Sequence, residues 1–302
     1  MDIKIPFSIP SVTASEKEYV SLASTTLLSS AWYKEVGRLC EEGHGIMVFL
    51  TSSGTYALEI AAMLVGISAG EEVILPSYTF TSTASAFLLR NAELQFCEIN
   101  PYSSNMNPTS APSMLIKKTK VIVPVHYAGV HCNMNALAFN YAIVEDAVQA
   151  VGSAYNENPA GEVGDMGFFF MLIITLICTM IVLPSVQKRG DLLVQLNQRG
   201  IQATFHYIAI HISPLGQALG YKPGDLPITE EYSVRLLRLP LWADMSDELT
   251  QIVIENFKHI CAEWECHYHI FVNNKNNLLW NDNIIYEYDI FLVSGKWQKI
   301  HK

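Results

Sequence analysis

Between residues 45 and 145 the chain alternates short apolar runs with stretches of helical spacing, and this alternation constrains its fold more than any other feature. Residues 46–50, 72–75, 94–99, 120–125 and 142–144 are largely apolar runs of strand length, whereas 56–65 and 81–90 repeat their apolar residues every three to four positions. Short buried runs bounded by turn residues read as strands, and the 3.6-residue period reads as helix. Strands that alternate with helices build an α/β layer with a mostly parallel sheet covered on both faces, because each crossover carries a helix back over the sheet. Ligands of such sheets gather at the carboxyl ends of the strands. Four polar clusters fall there: Ser52-Ser53-Gly54-Thr55, Ser77-Tyr78-Thr79, His126-Tyr127 and Asp146.

The remaining sequence suits a second, smaller α/β domain. Residues 190–200 place Leu192, Leu193 and Leu196 on one helical face, 201–210 and 235–241 read as extended, and 246–257 opens on Ser246 as an N-cap. With 302 residues, half of them hydrophobic, two cores can be buried. We divide the chain into a large domain over 1–170, a truncated small domain over 171–257, and a tail over 258–302 that is rich in Asn, Trp and Tyr and has no clean period.

Residues 166–183, MGFFFMLIITLICTMIVL, carry no charge and reach the lower length limit for a bilayer span. Two buried strands explain the run as well, since it is rich in Phe, Ile, Thr and Val and ends at Pro184. A membrane-anchored assembly component is the reading that the first alternative would support. Nineteen basic against 29 acidic residues give a net charge of -10 and no cationic patch, which argues against nucleic acid as a partner. Scattered cysteines and an N-terminus without a basic stretch and apolar core point to the cytoplasm. Cys261, Cys266, His267 and His269 fit no common zinc spacing, so no metal is expected.

Val144-Glu145-Asp146-Ala147-Val148-Gln149-Ala150 sets a carboxylate where an apolar strand runs out. Such an acid can keep a proton on a heteroaromatic nitrogen, as pyridoxal 5'-phosphate (PLP) requires in order to withdraw electrons. The same segment also reads as a plain acidic turn. Ser52-Ser53-Gly54-Thr55 precedes a helix, where backbone N–H groups and the positive helix end could receive a phosphate; ordinary capping would need no ligand, and both readings stand. Tyr78 offers a flat ring for stacking and Val148 could press on the opposite face, although either could equally be core.

TSSGTYALE, EEVILPSYTFTSTASAFLLRNAEL, KVIVPVHYAGV, VEDAVQAVGSAYNENPAGEVGDMGFF, FHYIAIHISPLGQALGY and SVRLLRLPLWADMS, taken together and in this order, resemble the DegT/DnrJ/EryC1/StrS family of PLP-dependent sugar aminotransferases. The likeness covers about residues 4–257, and within the family it leans toward the branch that aminates TDP-4-keto-6-deoxy-D-glucose for enterobacterial common antigen. It implies a fold type I, aspartate aminotransferase-like large domain, a homodimer, glutamate as amino donor and a 4-keto-6-deoxy sugar nucleotide as acceptor. By the same resemblance Gly54 and Thr55 cradle the cofactor phosphate, Tyr78 stacks on its ring, Asp146 pairs with its nitrogen and Gln149 with its hydroxyl. His206, Tyr207 and His211 match a motif near the substrate, although a structural role would suit each histidine as well.

One departure bears on activity. In the family the strand that GDMGFFF resembles leads into a Ser-Phe-His-x-x-Lys segment, whose lysine forms the Schiff base with PLP. Here MLIITLICTMIVLPS follows Phe170, and no lysine occurs between Lys120 and Lys188; the histidine that some dehydratase relatives use instead is also absent there, the nearest being His131 and His206. An internal block that includes the lysine is therefore expected to be missing. Lys188, in a polar turn of the small domain, is a poor substitute because a Schiff-base lysine must be desolvated and fixed. A catalytically dead pseudoenzyme that holds its cofactor non-covalently at best is the reading this favours over an active aminotransferase.

Overall fold

A computed structural model describes residues 4–9, 47–137, 141–150, 152–169, 179–183, 185–242, 245–262 and 269–272, with 21, 37, 38, 41 and 42 besides. Strands β1 (Glu72–Pro76), β2 (Glu93–Cys97), β3 (Thr119–Ile122), β4 (Ala142–Asp146) and β5 (Met166–Phe168) form one sheet in the order β2-β1-β3-β4-β5. Every pairing in it is parallel. Successive side chains of a strand point to opposite faces, and the apolar residues divide accordingly. Val73, Leu75, Val121, Val123 and Val144 pack under helices α1 (Gly54–Leu64) and α2 (Thr81–Leu88) through Leu58, Ala61, Ala84 and Phe87. Ile74, Ile122 and Ile143 face the other way, onto Met106, Ala111, Cys132 and the short helix α3 (Met134–Leu137). Each fully buried aliphatic or aromatic side chain contributes roughly 1.5–3 kcal/mol, so both coverings favour the sheet.

The second sheet is antiparallel. It joins β6 (Thr179–Val182), β7 (Thr204–Phe205), β8 (Leu236–Arg238) and β9 (His269–Val272) in the order β9-β6-β8-β7. Helix α4 (Val186–Gln198) starts at Ser185, whose Oγ accepts the Lys188 N–H, and packs through Leu192 and Leu196 against Val253, Phe257 and Ile260 of α7 (Asp247–Ala262). Helices α5 (Pro214–Ala218) and α6 (Pro227–Arg235) lie between β7 and β8 in the chain.

Several expectations change. Residues 47–50 form no strand; Met47 and Phe49 lie 77% and 61% exposed, as a sheet interior would not allow, and no described strand pairs with them. The two strands expected in the uncharged run exist as β5 and β6 but belong to different sheets, and 170–178 between them lie outside the described residues. No helix among the described residues is long and apolar enough to cross a membrane. Of the stretch 201–210 only Thr204–Phe205 is strand. Helix α7 runs across residue 257, where the sequence suggested a domain end, and the tail supplies β9 to the second sheet; 263–268 and 273–302, with Cys266 and His267, lie outside the described residues.

Candidate functional site

Because β1, β3 and β4 are parallel, their carboxyl ends share one edge of the sheet. Val125 bridges Asp146 there, which sets His126 and Tyr127 beside the end of β4. Strand geometry then separates the two neighbouring acids, since adjacent side chains leave a strand on opposite faces. Asp146 points with Val144 toward α2, where Thr83 Oγ1 donates to its Oδ2 at 2.8 Å and the Val148 N–H to its Oδ1 at 3.3 Å. Thr79 in turn lies 3.0 Å from Thr83. The Asp146 carboxyl is buried and no cation among the described residues pairs with it; burial pushes its pKa up to about 6, the Thr83 hydrogen bond offsetting only part of the rise.

Glu145 points to the opposite face and is fully buried. Its oxygens accept from Gly161 N–H at 3.0 Å, Val163 N–H at 2.7 Å and Gly164 N–H, and Oε2 lies 2.7 Å from His126 Nε2. His126 Nδ1 accepts the Cys132 N–H at 3.1 Å, so Nε2 carries the proton and donates to Glu145. Burial works against the carboxylate, yet these donors outweigh it and hold the Glu145 pKa below its ordinary value. The 161–164 loop that wraps Glu145 lies so close to β5 that a Cβ on Gly167 would sit 2.0 Å from the Gly161 carbonyl oxygen; only glycine fits.

The N-terminus of α1 is formed as a capped helix end. Ser53 Oγ accepts from the Tyr56 N–H at 3.2 Å, and Gly54 and Thr55, half-buried, occupy the first helical positions. No acid in the first turn competes for the helix's positive end, so an anion could be received there. Gln149 Oε1 accepts the Ala128 N–H at 2.8 Å, which ties the turn after β3 to the end of β4. Val148 is half-buried against the α1–α2 core.

Tyr78 follows β1 at the same sheet edge, with its ring packed as core. Its ring is 0% exposed, with Tyr127, Tyr232 and Tyr207 at centroid distances of 5.0, 5.8 and 6.2 Å, and Val182 and Leu236 of the second sheet complete the cluster. Its hydroxyl donates to the His206 carbonyl oxygen; the Tyr127 hydroxyl donates to Tyr78 at 3.3 Å and lies 2.6 Å from His206 Nδ1. With Nδ1 protonated, the three groups close a ring of hydrogen bonds in which each hydrogen serves one acceptor. Burial, with Arg238 adding to it, pushes the His206 pKa down to about 2, so its imidazole is neutral. His211 is fully buried, with Nδ1 2.7 Å from Ser77 Oγ and Nε2 3.0 Å from Glu230 Oε1.

The fold thus gathers Asp146, Gln149 and Tyr78 at one sheet edge and adds Thr83, His126, Tyr127 and Glu145, which the sequence reading left without roles. Glu145 stands beside Asp146 in the motif, and Thr83 lies one helical turn after Thr79; these were the available signals. For a phosphorylated heteroaromatic ring, the α1 terminus and the uncompensated Asp146 carboxyl fit, whereas the stacking face of Tyr78 is closed. Lys118 and Lys120 lie near Glu93 and Glu71 at the amino ends of the strands, the wrong edge of the sheet, and Lys188 is in the first turn of α4.

The family model described as the DegT/DnrJ/EryC1/StrS aminotransferase family matches residues 29–171 and 173–258. Protein MosB of Rhizobium meliloti is 38% identical over 132 residues, covering 42% of this chain and 26% of the relative. GDP-perosamine synthase of Escherichia coli O157:H7 is 33% identical over 174 residues, 55% of this chain and 48% of that protein. The match therefore spans less than half the length of each of these relatives. A Streptococcus pneumoniae protein named as a putative sugar aminotransferase, solved in its PMP form, superposes with a TM-score of 0.76 at 18% identity, over 86% of this chain and 98% of that one, which is a likeness of fold.

Proposed function

Since the chain belongs to the DegT/DnrJ/EryC1/StrS aminotransferase family, we propose that it is a sugar aminotransferase of nucleotide-sugar and polysaccharide biosynthesis in descent, with PLP as its cofactor, held here without a covalent bond and without completed turnover. The buried carboxyl of Asp146, at a strand end and held by Thr83 and the Val148 N–H, with its pKa raised to about 6 by burial, carries the reading. A protonated ring nitrogen would supply the missing positive charge, and Thr83 already fixes the carboxyl's orientation. Gly54 and Thr55 would hold the phosphate at the α1 N-terminus, and Gln149 the ring hydroxyl. PLP, when bound, supplies an electron sink at the substrate carbon. The chain's own residues then orient: Asp146 keeps the nitrogen protonated, Thr83 and the Val148 N–H keep Asp146 in place, and Glu145 with His126 anchors the strand end that carries it.

Transamination also needs a basic group that moves a proton between two carbons, and the lysine expected after GDMGFFF is not in the sequence. The family match divides at residue 172, where the block is expected to be missing, and this supports an internally deleted copy. The intact reaction would carry an amino group from glutamate to a 4-keto-6-deoxy sugar nucleotide, with enterobacterial common antigen the narrowest pathway that the motifs suggest. We place the chain in the cytoplasm and read 1–170 as the cofactor-binding lobe and 171–257, with the end of α7 and β9, as the small lobe; a family-type homodimer would lack part of its interface. The test is spectroscopic. Equilibrium dialysis and absorbance with PLP should show reversible binding that weakens about tenfold in Asp146→Asn, with no lysine adduct after borohydride. A borohydride-trapped lysine, or turnover of glutamate with a keto-sugar nucleotide, would overturn the non-covalent reading.

A further inference from the structure

We propose that the segment 204–211 is a built-in plug: the Tyr207 ring, with Tyr127 and Tyr232, closes the space around Tyr78 that the cofactor ring would need, and the His206 backbone holds the Tyr78 hydroxyl, so the ring can enter only when this segment withdraws. The inference rests on the preceding assignment of PLP to this site. Tyr78 is 0% exposed, so not even water reaches either face of its ring, whereas a stacked heteroaromatic ring needs a slab on the order of 3.5 Å thick. Tyr207 meets Tyr78 edge-on and Tyr127 at 6.3 Å, and lies against the His206 ring at a centroid distance of 3.6 Å with a tilt of 33°. Its backbone lies in the left-handed region, at φ 55°. A bulky residue persists there only when its surroundings impose the conformation, and here they do so on both sides. Upstream, Thr204 and Phe205 are paired to β8. Downstream, Ile210 N–H donates to the Ser77 carbonyl oxygen at 2.9 Å and His211 N–H to Ser77 Oγ at 3.0 Å, while the His211 side chain joins Ser77 to Glu230. The plug is therefore anchored to the large sheet at Ser77 and to the second sheet at β8.

Tyr207→Gly tests this directly, because glycine removes the ring and favours the backbone that Tyr207 must be forced into; Tyr207→Asn, also tolerant of that region, is the second variant. Nitration by tetranitromethane, followed by peptide mass spectrometry on cofactor-free protein, reads the accessibility of Tyr78 against Tyr102, which is 63% exposed. Tyr78 should stay unmodified in the wild type and react about tenfold faster in both variants, and PLP should bind both about tenfold more tightly by dialysis. Nitration of wild-type Tyr78 as fast as Tyr102, or unchanged PLP affinity in both variants alongside Asp146-dependent binding, would overturn the plug while leaving the PLP assignment standing. Tyr78 opening in the variants with no PLP bound by any form would support the plug and overturn the PLP assignment instead.

Discussion

Glu145 and Asp146 are neighbours at the end of one strand, yet one is held as an anion by four donors while the other keeps two donors and, among the described residues, no cation in contact. Their pKa values are pushed in opposite directions, Glu145 down and Asp146 up to about 6. Pairs of acids separated in this way mark a division of labour. On one face of the sheet the charge is spent on structure, closing the 161–164 loop onto His126; on the other it is left uncompensated, where an incoming cationic group could satisfy it.

That contrast can be broken most sharply at Glu145. In Glu145→Gln one amide hydrogen-bearing group must face N–H donors whichever way it turns, so we expect a loss of roughly 3–5 kcal/mol in denaturant unfolding. A loss below about 1 kcal/mol would mean that the four-donor cage is not what holds the loop. Asp146→Asn should act oppositely and stabilise the cofactor-free chain by about 1–2 kcal/mol at pH 7, allowing for the weakened bond from Val148. The sign follows from linkage: a carboxyl whose folded pKa is raised binds more protons folded than unfolded, so wild-type stability falls as pH rises from the ordinary Asp value through about 6. The advantage of Asp146→Asn should accordingly vanish near pH 4, and an advantage unchanged with pH would remove the contrast.

Smaller effects sharpen the boundary between the polar floor and the aromatic wall. Tyr127→Phe takes away the partner of His206 Nδ1 and should cost about 1–2 kcal/mol, read by thermal unfolding, with the Asp146 pH dependence intact. Ser53→Ala removes the α1 cap and should cost about 1 kcal/mol, visible as faster amide exchange at Tyr56.

Floor and wall also differ in how far the sequence reveals them. The strand–helix alternation placed β1 to β4, α1 and α2 within a few residues, because local period and burial agree there. VEDAVQA announced an acid at a strand end, since Asp146, Val148 and Gln149 meet within four residues of chain. The wall was illegible: Tyr78, Tyr127, His206 and Tyr232 meet from four separate segments, and nothing in the spacing of FHYIAIH says that it will pack against Tyr78 rather than leave it open. The strand expected at 46–50 failed for a related reason, as a strand exists only if a neighbour pairs with it.

By itself the sequence determined the parallel α/β layer, the strand-end position of Asp146, the capped α1 terminus and the missing lysine, because each depends on period, local spacing or the simple presence of a residue. Only the tertiary structure decided which face each acid serves, which donors hold Glu145, and that Tyr78 is walled in by Tyr127, Tyr207 and Tyr232. Those outcomes depend on contacts between residues from 16 to more than 128 positions apart in the chain. Long-range packing is a property of the whole chain, and no local pattern encodes it.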